Sequence, residues 1–308
     1  MNKEKKKPKV GVALGSGASR GWSHVGVLKA LSKAGIEPSV VCGTSVGAMV
    51  GASYAAGNLE KLEEWVLDSS VTDVLSFFSF RLARPAFVDM EKFDWFLHNF
   101  VADPDRQIES LGKSYAAIAA NLEDGSEVWL LKGGLADAVK ASMAMPGLFP
   151  AHRREGQWLV DGGLVDPVPV SACRALGADI VIGVNLNSDI LTRHSRRILG
   201  NPAVSTTKLL ETFRKRAKRT ADQTDLHEED DDKPPGLFST VSMSINIFQD
   251  QITRNRLITD PADVMIAPKV GDIGMLEFQR AADAIEEGMA RTDAAMGDII
   301  ARLQDQSN

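Results

Sequence analysis

Cysteine is scarce: Cys42 and Cys173 are the only two in 308 residues, far apart and without a C-x-x-C spacing. That excludes a disulfide framework and a cysteine zinc site, and it suits a reducing, cytoplasmic setting. Positive charge does not dominate either. Thirty-five Lys and Arg against 41 Asp and Glu leave a net charge of −6, the wrong footprint for a protein whose main partner is nucleic acid. No window reaches the roughly 18 uncharged apolar residues that a membrane-spanning helix requires. The start MNKEKKKPKV, with five lysines in nine residues, runs straight into VGVALG with no signal-peptide core or cleavage site. Residues 1–9 are thus expected to be a basic flexible tail, and any membrane contact to be peripheral, at the inner membrane surface. With 44% hydrophobic and 25% charged residues, the rest of the chain, 10–308, is ordinary globular material and reads as one α/β domain.

Apolar runs and helical periods alternate along it. Val10 to Leu14 reads as a buried strand, Gly15 to Gly21 as a glycine-rich loop, and Trp22 to Ala34 as a helix with Val25, Leu28 and Leu31 on one face. Pro38 to Cys42 is a second strand, followed by Gly-Thr-Ser-Val-Gly and a helix carrying Met49 and Val50. Two successive β–loop–α units predict a mainly parallel sheet with helices on both faces, a three-layer α/β/α architecture. Farther on, strands are expected at Ser114 to Asn121, Glu127 to Leu131, Trp158 to Val160, Asp179 to Asn185 and Ala262 to Ala267. Helices are expected at Leu135 to Ser142, Val168 to Leu176 and Leu276 to Leu303.

Two segments interrupt this alternation. Val71 to Phe100, containing VLSFFSF and FDWFLHNF, concentrates aromatics in a chain that has only 6% of them. It is either a lid or acyl-chain wall, or a helical pair filling its own core. Arg193 to Gly236 runs from basic RHSRR and FRKRAKR to acidic HEEDDD and KPPG, the pattern of a mobile, charged insertion with one amphipathic helix near Ser205 to Lys218.

Chemistry concentrates at VVCGTSVGAMV. G-x-S-x-G at a strand-to-helix corner is the pattern of a nucleophile elbow, which lifts a serine hydroxyl clear of the sheet. Ser45 is the candidate nucleophile, with Gly43 and Gly47 leaving room for the turn. A histidine base is hard to find. His24 precedes the elbow, His98 lies among the aromatics, His152 in a polar loop, His194 and His227 in the charged insertion, and none follows. LVDGGLVDPVP offers Asp161 instead, at the end of a strand, with Gly162 and Gly163 letting the backbone turn and present the carboxylate. As an acceptor of a serine proton it needs a partly desolvated site that raises its pKa. The loop GSGASRG would supply an oxyanion site through the amides of Gly15, Ser16, Gly17 and Ala18. A dinucleotide reading of that loop fails because Arg20 occupies the third glycine position of G-x-G-x-x-G and no acidic residue ends the second strand. A Walker loop fails for want of Gly-Lys-Ser/Thr.

GSGASRGWSHVGV, GTSVG and DGG, in that order, with SMAMPGLFP between the last two, resemble the patatin-like phospholipase family, and its bacterial members akin to the catalytic domain of neuropathy target esterase above all. The similarity spans Val10 to about Asn187. It implies a Ser45–Asp161 dyad in place of a triad, an oxyanion loop at Gly15 to Ala18 supported by Arg20, and a loop carrying Ser142 and Pro146 that lines the site. It also implies lipid acyl hydrolysis on a phospholipid, lysophospholipid or simple acyl ester, with no metal or organic cofactor. Two other readings stand beside it: a patatin-fold regulatory or interaction module whose partners recognise the charged insertion, and an α/β-hydrolase triad with His152 or His194 as base. A dimer through the aromatic segment or terminal helix is one arrangement these patterns allow.

Overall fold

A computed structural model of the chain describes residues 7–69, 88–189 and 237–307. The charged insertion, the first residues of the basic tail and the first part of the aromatic segment lie outside the described residues. Eight strands form one sheet: β1 (Val10–Leu14), β2 (Val40–Thr44), β3 (Ser114–Asn121), β4 (Glu127–Leu130), β5 (His152–Arg154), β6 (Gln157–Asp161), β7 (Ile180–Val184) and β8 (Val264–Ile266). β3, β2, β1, β7 and β8 run parallel in that order, and β4, β6 and β5 add antiparallel pairs at the β3 side.

The central parallel strands are apolar on both faces because both faces are covered. Along β1, Val10, Val12 and Leu14 enter the core shared with helices α1 (Ser23–Lys33) and α2 (Val46–Ala56), while Ala13 faces the second core. β3 alternates in the same way, with Tyr115, Ala117 and Ala119 on the first side and Ala116 and Ile118 on the second. The first layer also holds α3 (Leu59–Asp68), α4 (Met90–Phe96), α5 (Leu135–Ser142) and the C-terminal helix, and the second holds α6 (Val170–Ala175). The expected three-layer α/β/α fold is present.

Strands β1 and β3 and helix α5 match their expected bounds, and most other boundaries move by one or two residues. Three elements have no counterpart in the sequence reading: α3, the strand β5 that makes His152 part of a hairpin, and α7 (Leu237–Thr259). The terminal helix, α8 (Ala281–Ser307), begins later than expected, after a 3₁₀ turn at Phe278–Arg280.

Helices α1 and α8 touch backbone to backbone. A Cβ on Gly26 would stand 2.0 Å from the Ile285 carbonyl oxygen, and one on Gly288 would stand 2.1 Å from that of Ser23. α1 begins directly behind the glycine loop, so this contact fixes the loop's exit. Gly26→Ala or Gly288→Ala is expected to destabilise the protein by about 1–3 kcal/mol through overpacking. Gly297→Ala, in open space on the same helix, should be stabilising by about 0.5–1 kcal/mol. Urea unfolding of the three variants checks both signs.

Candidate active site

Ser45 sits between β2 and α2 at φ 58°, ψ −124°, a left-handed conformation that costs a non-glycine residue about 1–3 kcal/mol. The glycines on either side are dictated by close backbone approach. A Cβ on Gly43 would lie 2.3 Å from the Gly47 carbonyl oxygen, and one on Gly47 would lie 2.1 Å from that of Leu14. Only G-x-S-x-G lets α2 start this close to the sheet.

Asp161 reaches Ser45 by strand pairing. Ile118 of β3 is paired both to Thr44 of β2 and to Trp129 of β4, so those strands flank β3 on opposite edges. Ala119 is paired both to Val128 of β4 and to Asp161 of β6. β6 therefore continues along the edge that β2 leaves, and the two strands end facing each other at adjacent β3 residues. Ser45 Oγ donates to Asp161 Oδ2 at 2.6 Å across 116 positions of sequence. Gly162 lets the turn pass over the Ile118 carbonyl, where a Cβ would stand at 2.2 Å, and the Gly163 N–H donates to Asp161 Oδ1 at 2.7 Å.

Both side chains are buried, Ser45 at 5% and Asp161 at 1% exposure. Burial pushes the Asp161 carboxyl up to about 6, against the pull of the hydrogen bonds from Ser45 and Gly163. Ser142 lies beneath the pair. Its hydroxyl accepts from the Ser45 N–H at 2.9 Å and donates to the Ile118 carbonyl, filling the gap where the β2–β3 ladder stops.

The glycine loop requires a correction. The Gly15 N–H donates to the Val184 carbonyl at 3.1 Å and the Ser16 N–H to that of Pro167 at 2.9 Å. Those two amides anchor the loop to the ends of β7 and the Asp161 turn, so neither is available to an oxyanion. Among the described residues the Gly17 and Ala18 amides have no hydrogen-bond partner, and Ala18 lines the same cavity as Ser45. Arg20 donates from Nε to the Gly17 carbonyl at 3.0 Å. Burial lowers its pKa only to about 10, so it stays charged at neutral pH. His24 Nε2 lies 2.7 Å from the Gly15 carbonyl and so carries the proton, and burial pushes its pKa down to about 4. It is a neutral support for the loop.

Among the described residues the other histidines bring no base to Ser45. His152 is bonded to Asp137 on α5 at 2.7 Å, His98 lies in a π-helical turn at Leu97–Val101, and His194 and His227 lie outside the described residues. The loop after α5 lines the cavity through Met143, Met145, Leu148 and Phe149, while Ser142 is fully buried under Ser45 and Pro146 faces solvent.

That lining belongs to a cavity with an empty volume of about 900 Å³, the open solvent at its mouth included. Its wall is almost wholly apolar. Trp22, Met49, Trp65, Phe93, Phe96 and Phe278 contribute, and Ser45 opens into it. In the described part of the aromatic segment Phe93 and Phe96 pack on each other, Phe93 also packs on Phe149 at 5.0 Å, and both line the cavity. Among the described residues no three His, Cys, Asp or Glu side chains are placed to hold a metal ion.

An uncompensated buried carboxylate should be visible in stability. Asp161 ordinarily titrates near 3.8 and here near 6, so the native state holds its proton to higher pH than the unfolded chain. The penalty is absent below pH 4, grows through pH 6 and levels off at about 3 kcal/mol. Asp161→Asn is therefore expected to unfold at higher urea than wild type at pH 8, with the difference gone at pH 4.

A family model for patatin-like phospholipase matches residues 12–174, a span that contains the elbow, the glycine loop and the Asp161 turn. An uncharacterized NTE family protein of Mycobacterium tuberculosis is 29% identical over 331 aligned positions, covering 94% of this chain and 91% of that protein. The lysophospholipase nte1 of Aspergillus fumigatus is 30% identical over 194 positions, which cover 58% of this chain but only 12% of that much longer protein. Mouse patatin-like phospholipase domain-containing protein 6 is 31% identical over 187 positions, again 58% of this chain and 14% of that protein. With more than half of its length matched by the family model, the chain belongs to the patatin-like phospholipase family.

Proposed function

We propose that the protein is a serine lipid acyl hydrolase working through a Ser45–Asp161 dyad. The observation that carries this reading is the 2.6 Å hydrogen bond from Ser45 Oγ to a buried carboxylate at the edge of an apolar cavity. Ser45 Oγ attacks the ester carbonyl carbon as its proton passes to Asp161. The tetrahedral intermediate carries its negative charge on the former carbonyl oxygen, toward the unpartnered amides of Gly17 and Ala18. The intermediate collapses as Asp161 returns the proton to the leaving alcohol, leaving an acyl-Ser45 ester. Water, deprotonated by Asp161, releases the acid and regenerates the serine. The apolar cavity takes the acyl chain of a phospholipid, lysophospholipid or simple ester.

A carboxylate near 3.9 would be a weak base for a serine hydroxyl, and the raised pKa narrows that mismatch. Only the ionised form accepts the proton, so kcat/KM should rise with pH through about 6.

The family relatives named as lysophospholipases favour lipid esters over other acyl groups. No described helix is long and apolar enough to cross a membrane, so this reading brings substrate to the site by peripheral contact.

Labelling with a fluorophosphonate probe, run beside hydrolysis of medium-chain p-nitrophenyl esters, tests the dyad. Wild type should label and turn over, and Ser45→Ala should do neither. Asp161→Asn should lose on the order of 10²–10⁴ in kcat, the usual contribution of a positioned base. A folded wild type that neither labels nor hydrolyses any ester would reject the enzyme reading in favour of an interaction module.

A further inference from the structure

Helix α7 has an unusual buried face. The inward side of an outer helix is normally an apolar stripe. Here Asn246, Gln249, Thr253 and Arg256, spaced i, i+3, i+7 and i+10 on one side, carry polar groups toward the sheet, with Gln249 and Thr253 almost fully buried. Ile245 and Leu257 do pack inward, against Met145, Leu148 and Leu276 and against the second core, but Phe248 and Ile258 on the same helix are exposed. Polar groups are buried only where they are hydrogen-bonded, so their partners indicate what the helix holds.

Thr253 bonds back to the Gln249 carbonyl of its own helix, whereas Gln249 and Asn246 reach the two loops of the candidate site. Gln249 Oε1 accepts from Ser16 Oγ at 3.1 Å and from Asn187 Nδ2 at 3.2 Å. Its Nε2 lies against the Asp161 turn, so close that a Cβ on Gly163 would stand 2.3 Å away. One amide therefore touches both the residue beside Gly17 and the residue whose N–H holds Asp161. One turn earlier, Asn246 Oδ1 accepts from Arg20 Nη2 at 3.1 Å, and Arg20 in turn holds the Gly17 carbonyl. Two turns later, Arg256 fixes the register of the helix by pairing with Asp166 at 3.2 Å and with Glu127.

We propose that Gln249 is a positioning residue for catalysis: its side-chain amide ties the glycine loop to the Asp161 turn and sets the spacing between the oxyanion donors and the base. The proposal rests on the acyl-hydrolase reading above. Gln249 meets no reacting atom, so its loss should leave substrate binding in the apolar cavity intact and slow the chemical step. A displacement of about 1 Å in such a constellation can cost on the order of 10²-fold in rate.

The test compares wild type, Gln249→Met and, as a matched substitution on the exposed side of the same helix, Gln251→Met. The readouts are kcat and KM for a medium-chain p-nitrophenyl ester, the rate constant for fluorophosphonate labelling, and the fraction of molecules labelled at completion. Gln249→Met should lower kcat and the labelling rate by about 10- to 100-fold, with KM within twofold and labelling still reaching one probe per chain. Gln251→Met should match wild type. Should Gln249→Met fail to fold, Asn246→Ala decides, with an expected severalfold loss of kcat at unchanged KM. Wild-type kcat in the folded variant overturns the proposal. So does a loss that comes entirely from a smaller labelled fraction, because that is ordinary destabilisation. An inactive wild type rejects the hydrolase reading itself, a result distinct from either.

Discussion

Everything at this site depends on two strands sharing one edge of a third. β3 is long enough to pair with β2 over its first half and with β6 beyond it. Because β6 runs antiparallel, it ends where β2 ends. Two chain segments 116 residues apart thus deliver Ser45 and Asp161 to adjacent positions with no loop to position either. Sites carried on strand and helix ends hold tighter geometry than sites on long loops. The cost is a backbone that has to turn sharply twice in a crowded place, which is why Gly43, Gly47, Gly162 and Gly163 have no space for a side chain.

The surroundings are dry, and the polar groups around the pair are arranged accordingly. His24 supports the glycine loop without a charge, because burial holds its pKa near 4. Arg20 keeps its charge and hydrogen-bonds to backbone and to Asn246. Ser142 completes a ladder that would otherwise leave the Ser45 N–H unpaired at a buried position, a loss worth about 1–3 kcal/mol. Asp161 alone keeps a strongly perturbed carboxylate with no cation beside it. Perturbed groups of this kind gather at functional sites, and here the perturbation comes from burial of the carboxyl.

Much of the fold could be read from residues alone. β1, β3 and α5 are strongly patterned segments whose apolar spacing leaves one choice of structure. The elbow and the Asp-Gly-Gly turn were legible for a different reason: their glycines answer local steric demands that leave a mark in sequence. α3 and α7 were not legible. On α7 the buried face mixes Gln249, Asp250 and Thr253 with Ile245, and part of the exposed face is apolar, which blurs the signal by which amphipathic helices are recognised. The polar stripe Asn246, Gln249, Thr253, Arg256 was the clue available, readable only once its partners are known. Pro146 and Ser142 fall in the motif SMAMPGLFP, yet one faces solvent and the other lies beneath Ser45, because a motif marks a segment and leaves its facing undetermined.

The sequence by itself determined the alternation of strands and helices, the corner at Ser45 and the lack of a late histidine, since each depends on short-range sterics or on composition. Only the tertiary structure decided how Asp161 comes to meet the serine, which loop amides are taken up by backbone carbonyls and which helix packs against the loop. Those outcomes depend on strand register and on contacts between residues more than a hundred positions apart, where a hydrogen bond taken by Val184 or Pro167 removes a donor that the local sequence still displays.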